Sequence, residues 1–155
     1  MPAGVPLSNN AYTVCAWIKP SGRACNGMSG VVGWGDWASV NGSNGLATHG
    51  GDSFYNYWFS TGPQTSAVDM LFPTPGLCST QRWGHFLCRW DPSTSTKACF
   101  WNGKLAKQQT LPNGHGTKDG FFRIGRYALV LHTAVPLYCF VRTTVCSSIE
   151  YVSSQ

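Results

Sequence analysis

Residues 83–104 read WGHFLCRWDPSTSTKACFWNGK, and this stretch decides the fold. Two runs rich in aromatic and apolar residues, 83–90 and 97–101, flank Asp91-Pro92-Ser93. Proline presets the φ angle of a turn and aspartate bonds its own backbone two residues on, so the segment predicts strand, turn, strand. The second run stops at Asn102-Gly103, a pair that accepts the positive φ angles of a tight hairpin.

The same grammar extends in both directions. Five Asn-Gly pairs punctuate the chain, at 26, 41, 44, 102 and 113. Residues 11–19, AYTVCAWIK, alternate so that Tyr12, Val14, Ala16 and Ile18 share one face. Further strands are predicted over 29–35, 45–48, 53–60, 69–72 and 121–125, and His49-Gly50-Gly51-Asp52 reads as a hairpin turn. No stretch shows helical spacing of apolar residues. Short strands at this spacing without crossover helices predict an all-β, antiparallel β-sandwich. With 155 residues there is room for one domain with a core and not for two ordinary ones.

Composition narrows the chemistry. Hydrophobic residues make up 43% and charged residues 11%, which excludes a disordered polyelectrolyte. The net charge of +5 comes from cations scattered between Lys19 and Arg142 with no run of three, so no nucleic-acid groove is expected. The apolar run 128–141 is too short to span a bilayer and contains His132 and Pro136, so no membrane insertion is expected. Seven cysteines include no Cys-x-x-Cys pair, against a zinc knuckle. Cys25 and Cys78, in loops, read as disulfide candidates; Cys15, Cys88 and Cys99, in predicted strands, read as small buried hydrophobes. No charged segment followed by an apolar stretch opens the chain, and the cysteine content leans towards an extracellular or cell-surface location as part of a longer chain.

The ordered segments YTVCAWIKPSG, GVVGWGDW, NGLATHGGDSFYNYWFS, RWGHFLCRWD, KACFWNGKL and FRIG resemble the laminin-G-like jelly-roll domains of the concanavalin A-like lectin and glucanase superfamily. Ala16-Trp17-Ile18-Lys19-Pro20 looks like the early strand, Trp83-x-His85 through Asp91 like the central strand, and Phe100 to Lys104 like the strand ending in its turn. The resemblance implies a jelly-roll domain over 1–127. It departs over 128–155, where the usual closing motif is missing. That tail is expected to leave the sandwich incomplete at its C-terminal edge or to supply an edge strand of its own, Tyr138 to Val145.

Catalysis finds little support. Glycosidic hydrolysis uses two carboxylates about 5–5.5 Å apart for retention and further apart for inversion. The glucanase branch carries them on one strand, whereas this chain has one glutamate, Glu150, and aspartates scattered at 36, 52, 69, 91 and 119. The four histidines show no metal-ligand spacing, and His85 is expected to pack in or near the core. No catalytic triad, elbow or phosphate loop appears.

Binding has better material. Sugar recognition sets an aromatic ring against a pyranose and meets the hydroxyls with amides and carboxylates. The segment 34–45 offers Asp36, Trp37, Asn41 and Asn44 in a loop, with Trp34 read as core. The run 54–59 puts Tyr55, Tyr57 and Phe59 on one strand face, and Phe54, Asn56 and Trp58 on the other; the sequence leaves open which face is core. Calcium is the cofactor that the resemblance raises, with Asp36 and Asp52 as candidate donors. The expected function is a non-catalytic recognition module for carbohydrate or glycoprotein. The alternatives are a protein-interaction or adhesion domain of a larger extracellular protein and a diverged glycosidase-like enzyme.

Overall fold

The structure, a computed structural model, describes residues 5–19, 28–36, 42–57, 69–80, 82–111, 116–124 and 138–141. Ten strands order the described chain: β1 (Tyr12–Lys19), β2 (Met28–Gly35), β3 (Ser43–His49), β4 (Ser53–Tyr57), β5 (Met70–Pro73), β6 (Gly84–Asp91), β7 (Thr96–Trp101), β8 (Lys104–Thr110), β9 (Phe121–Ile124) and β10 (Tyr138–Val141). They form two five-stranded antiparallel sheets, β10-β1-β6-β7-β8 and β5-β4-β3-β2-β9. No helix occurs among the described residues, and the all-β sandwich expected from the sequence is the observed class.

Side-chain alternation builds the interior. Tyr12, Val14, Ala16 and Ile18 are all buried, as the β1 pattern requires. They meet Phe86, Cys88 and Trp90 of β6 across the ladder and Val32, Trp34, Leu46 and Phe54 from the opposite sheet in one cluster. Phe54 of β4 stacks on Phe86 of β6 with ring centroids 4.8 Å apart, and Tyr12 meets Trp34 edge to face at 5.4 Å. Both contacts join one sheet to the other.

Among the described residues, the buried indoles of Trp34, Trp90 and Trp101 each find an acceptor, as most buried polar groups do. Trp34 donates to the Pro6 carbonyl and Trp90 to the Asn9 amide oxygen, both at 3.0 Å, and Trp101 donates to the Pro75 carbonyl at 3.3 Å. Two of these acceptors lie on the segment before β1, which Ser8 also ties to Thr117 through a two-bond bridge. Gly84 lies beneath Trp101: a Cβ there would sit 1.8 Å from the indole ring. Glycine at this position lets the ring close the end of the core.

Several expectations are corrected. Cys88 and Cys99 are not simple buried hydrophobes but a disulfide between directly opposed residues of β6 and β7. With a separation of 11 residues, such a bridge contributes about 3 kcal/mol in the chain-entropy picture. Cys78 is also disulfide-bonded; Cys25 lies outside the described residues. His85 points outward from β6, half-buried, with its ring 5.1 Å from that of Trp17. β8 is a strand that the residue pattern left unplaced. β10 pairs with β1 from Ala16↔Val141 to Lys19↔Tyr138, at the edge of its sheet.

Phe86→Ala is expected to lower the unfolding free energy by about 3–5 kcal/mol, because it empties the contact between sheets. Leu105→Ala, at a side chain 54% exposed, is expected to stay within about 0.5 kcal/mol of the parent. Urea unfolding of the two variants checks the pair.

Candidate functional site

The parity of β4 organises the site. Phe54 and Asn56 face the core with Leu46 and Thr48 of β3, so Tyr55 faces outward. The half-buried Tyr55 side chain is held on two sides. Its hydroxyl donates to a carboxylate oxygen of Asp69, and its ring lies 5.5 Å from the exposed imidazole of His49. Directly across the ladder on β5 stands Leu71, 43% exposed. The outer surface of β4 and β5, with His49 at the end of β3, therefore carries a fixed ring beside an imidazole, a carboxylate and an apolar neighbour, while Ala47 of β3, opposite Tyr55, is itself fully buried.

Two turns beyond the strands keep this corner rigid. Gly50 and Gly51 take φ angles of 51° and 56° in the β3–β4 hairpin. Aspartate follows, and Asp52 staples this hairpin to the 75–80 turn. Its carboxylate accepts the backbone N–H groups of Gly76 (3.0 Å), Cys78 (2.6 Å) and Ser79 (3.0 Å) and the Ser79 hydroxyl (2.8 Å). The Ser79 donors first, then those of Gly76 and Cys78, hold its carboxyl down at about 2.

Beneath the site the core turns polar. Asn44 and Asn56, both fully buried, share a bond from Asn56 Nδ2 to Asn44 Oδ1 at 3.3 Å; Asn56 Nδ2 also reaches the Gly45 carbonyl at 2.8 Å. From the other sheet, the fully buried Lys97 donates to the Asn56 carbonyl at 3.2 Å. Burial holds its ammonium well below the ordinary lysine range; nearby Asp69 opposes the shift and Lys107 adds to it. Lys107 crosses at the sheet edge to the Leu71 carbonyl at 3.1 Å. Two lysines thus tie one sheet to backbone carbonyls of the other under Tyr55 and Leu71.

The sequence-derived candidates do not converge on one surface. Asn44 lies inside β3 with its side chain in the core, not in a loop. Asp36 follows Gly35, whose φ is 105°, and its N–H shares the Gly42 carbonyl with that of Lys118. Trp37 and Asn41 lie outside the described residues; Tyr57 pairs with Gly45 in β4, and its side chain lies outside them too. Asp36 and Asp52 were paired as calcium donors, but they sit past opposite ends of the seven-residue β3, about 20 Å apart. One ion cannot take both, and the Asp52 oxygens already hold four donors. Among the described residues no three His, Cys, Asp or Glu side chains gather where a metal could bind. His49, Asp69 and Lys97 were not picked out from the sequence. His49 and Asp52 did bracket a predicted hairpin, which was the available signal for His49.

The Laminin_G_3 family, described as the concanavalin A-like lectin/glucanases superfamily, matches residues 1–134. The chain belongs to this family. No curated protein matches it in sequence. Among solved structures, the CBM40 of a Ruminococcus gnavus IT-sialidase superposes with a TM-score of 0.64 at 12% identity, over 90% of this chain and 79% of that one. The same CBM40 bound to alpha2,3 sialyllactose gives 0.59 at 14% identity, over 91% and 79%. Domains LG4-5 of the mouse laminin alpha1 chain give 0.53 at 10% identity, over 90% of this chain and 35% of that one. At these identities the likeness establishes the laminin-G-like sandwich fold.

Asp52→Asn is expected to lower stability at neutral pH by about 1 kcal/mol. The sign follows from the depressed carboxyl. The unfolded carboxyl ionises near 3.8 and the folded one near 2, so the parent's advantage is complete above about pH 4. It is lost as pH falls through 2. Thermal melts of both proteins from pH 7 to pH 2 should show the two curves converging at the acid end.

Proposed function

We propose that this chain is a non-catalytic recognition module that binds carbohydrate or a glycosylated surface through the outer face of β4 and β5 beside His49 at the end of β3. The observation that carries the reading is Tyr55, an outward ring on a rigid strand, fixed by the Asp69 carboxylate and flanked by His49. A pyranose presents an apolar face to such a ring and hydroxyls to the groups around it. Tyr57, which pairs with Gly45 in β4, is a further candidate contact in this reading. Asp36, with Trp37 and Asn41 between β2 and β3, is a second contact region. The fold shared with a CBM40 solved with sialyllactose is consistent with this use.

Binding without hydrolysis fits the disposition of the carboxylates. The described aspartates stand at five separate turns or strand ends, and three of them already accept bonds from Ser79, Tyr55 and Ser93. The disulfide between β6 and β7 supports a place at the cell surface or outside the cell.

The test is a glycan array of neutral and sialylated structures, probed with the parent and with Tyr55→Ala. The parent is expected to bind a defined subset, and the variant to lose at least tenfold in affinity while its melting temperature stays within a few degrees. An array without signal, or an unchanged Tyr55→Ala variant, contradicts the proposal.

A further inference from the structure

The sheet opposite the Tyr55 surface carries an apolar stripe where a solvent-facing sheet should be polar. Outward residues of an antiparallel sheet normally alternate with the core as polar groups. Here the ladder pairs Leu87 of β6 with Phe100 of β7, and Phe100 with Leu105 of β8, all pointing away from the core. Trp17 of β1, paired with His85, extends the stripe. Trp17 and Leu105 are each 54% exposed. The Trp17 ring is not loose, because the His85 imidazole lies against it at 5.1 Å. Nor is the stripe neutral. The Arg89 guanidinium lies over the Phe100 ring at 5.7 Å, and Lys19 projects from β1 on the same side as Trp17.

Charge is segregated between the two sheets. Among the described residues, four aspartates (36, 52, 69 and 119) lie on or next to elements of the β5-β4-β3-β2-β9 sheet, against two cations, Lys118 and Arg123. The other sheet and its turns hold Lys19, Arg82, Arg89, Lys97, Lys104 and Lys107 against Asp91 alone, whose carboxylate is taken by Ser93; of the cations, Lys97 points into the core and Lys107 reaches the Leu71 carbonyl. A surface with an apolar centre and cationic flanks complements one with an apolar centre and acidic flanks. A second copy of this chain would bring a net charge of +5 against its own. Four strands at their usual spacing make the stripe about 14 Å wide, close to two and a half turns of helix. A helix laid across a sheet is the ordinary way to cover such a face.

We propose that the outer face of the β10-β1-β6-β7-β8 sheet is a docking surface for an acidic amphipathic helix of a partner protein. Leu87, Phe100 and Leu105 take its apolar side, Trp17 closes one end, and Arg89 and Lys19 meet its carboxylates. This surface is separate from the one built on Tyr55, so each can fail without the other.

The probe is a synthetic amphipathic peptide of about 18 residues, with leucines at i, i+3, i+4 and i+7 and glutamates elsewhere. Its control carries lysine in place of every glutamate. Titration is followed by amide chemical shifts of the labelled protein. The glutamate peptide should bind at least tenfold tighter than the lysine peptide at low salt, with an advantage that shrinks as salt rises. Its shifts should fall on residues 15–19, 85–89, 98–100 and 105. Trp17→Ser with Leu105→Ser, both at exposed positions, should cut affinity tenfold or more with the spectrum otherwise intact, and Arg89→Glu should reverse the peptide preference. Equal binding of both peptides, unchanged binding by the variants, or shifts on the β4 face overturns the proposal. So does a concentration-dependent dimer, or binding to anionic phosphatidylserine vesicles, that uses this face in place of the peptide.

Discussion

The contact of Phe54 on Phe86 sets the arrangement of everything else. It is a ring stack between the two sheets, and it decides which side of β4 is inside. Because side chains alternate along a strand, one residue of slip would place Tyr55 in the core and Phe54 in water. Phe72 meets Phe54 from β5 at 5.7 Å and holds the same register on the next strand. The outward position of Tyr55 is thus a consequence of packing on the other side of the sheet. The bond to Asp69 and the contact with His49 then fix how the ring is presented.

The interior is not uniformly apolar, and its polar part lies under the candidate site. Lys97, Asn44 and Asn56 occupy positions where leucine or valine would pack without desolvating a charge. Burial of Lys97 lowers its proton affinity relative to the unfolded chain, so the unfolded state binds more protons below the ordinary lysine value of 10.5. Stability therefore climbs as pH rises from the folded value towards 10.5, the reverse of the usual effect of a paired lysine. What the lysine supplies in return is geometric. Its bond to the Asn56 carbonyl positions β4 against β7, as Lys107 positions β5 against β8.

Much of this architecture was legible in the residues, and the gaps have physical causes. β1 was clear because its burial alternates without a break, and the hairpins at 49–52 and 91–93 were clear because their turn residues have few other uses. β8 reads KLAKQQT and escaped because an exposed edge strand has little apolar periodicity to display. Asn102-Gly103 was the clue to it, since a two-residue turn with φ angles of 48° and 77° forces a partner strand to follow at once. The disulfide between Cys88 and Cys99 required the register of β6 on β7, which the hairpin length alone does not supply. Asn44 was misplaced because Asn-Gly pairs usually mark turns, whereas here the asparagine enters the strand and finds a buried partner in Asn56. Asp69 and Lys97 lie 28 residues apart and meet only through tertiary structure.

The two outer faces differ in kind: one is a ring set among polar groups, the other an apolar stripe among cations. The first is the proposed glycan-recognition face. Nuclear magnetic resonance mapping of the labelled protein, titrated with a glycan selected from the array, is the most direct test. The largest shifts are expected on His49, Tyr55, Asp69 and Leu71, with the β6 and β7 amides unmoved. Shifts confined to the opposite sheet, or spread evenly through the core, would contradict this assignment.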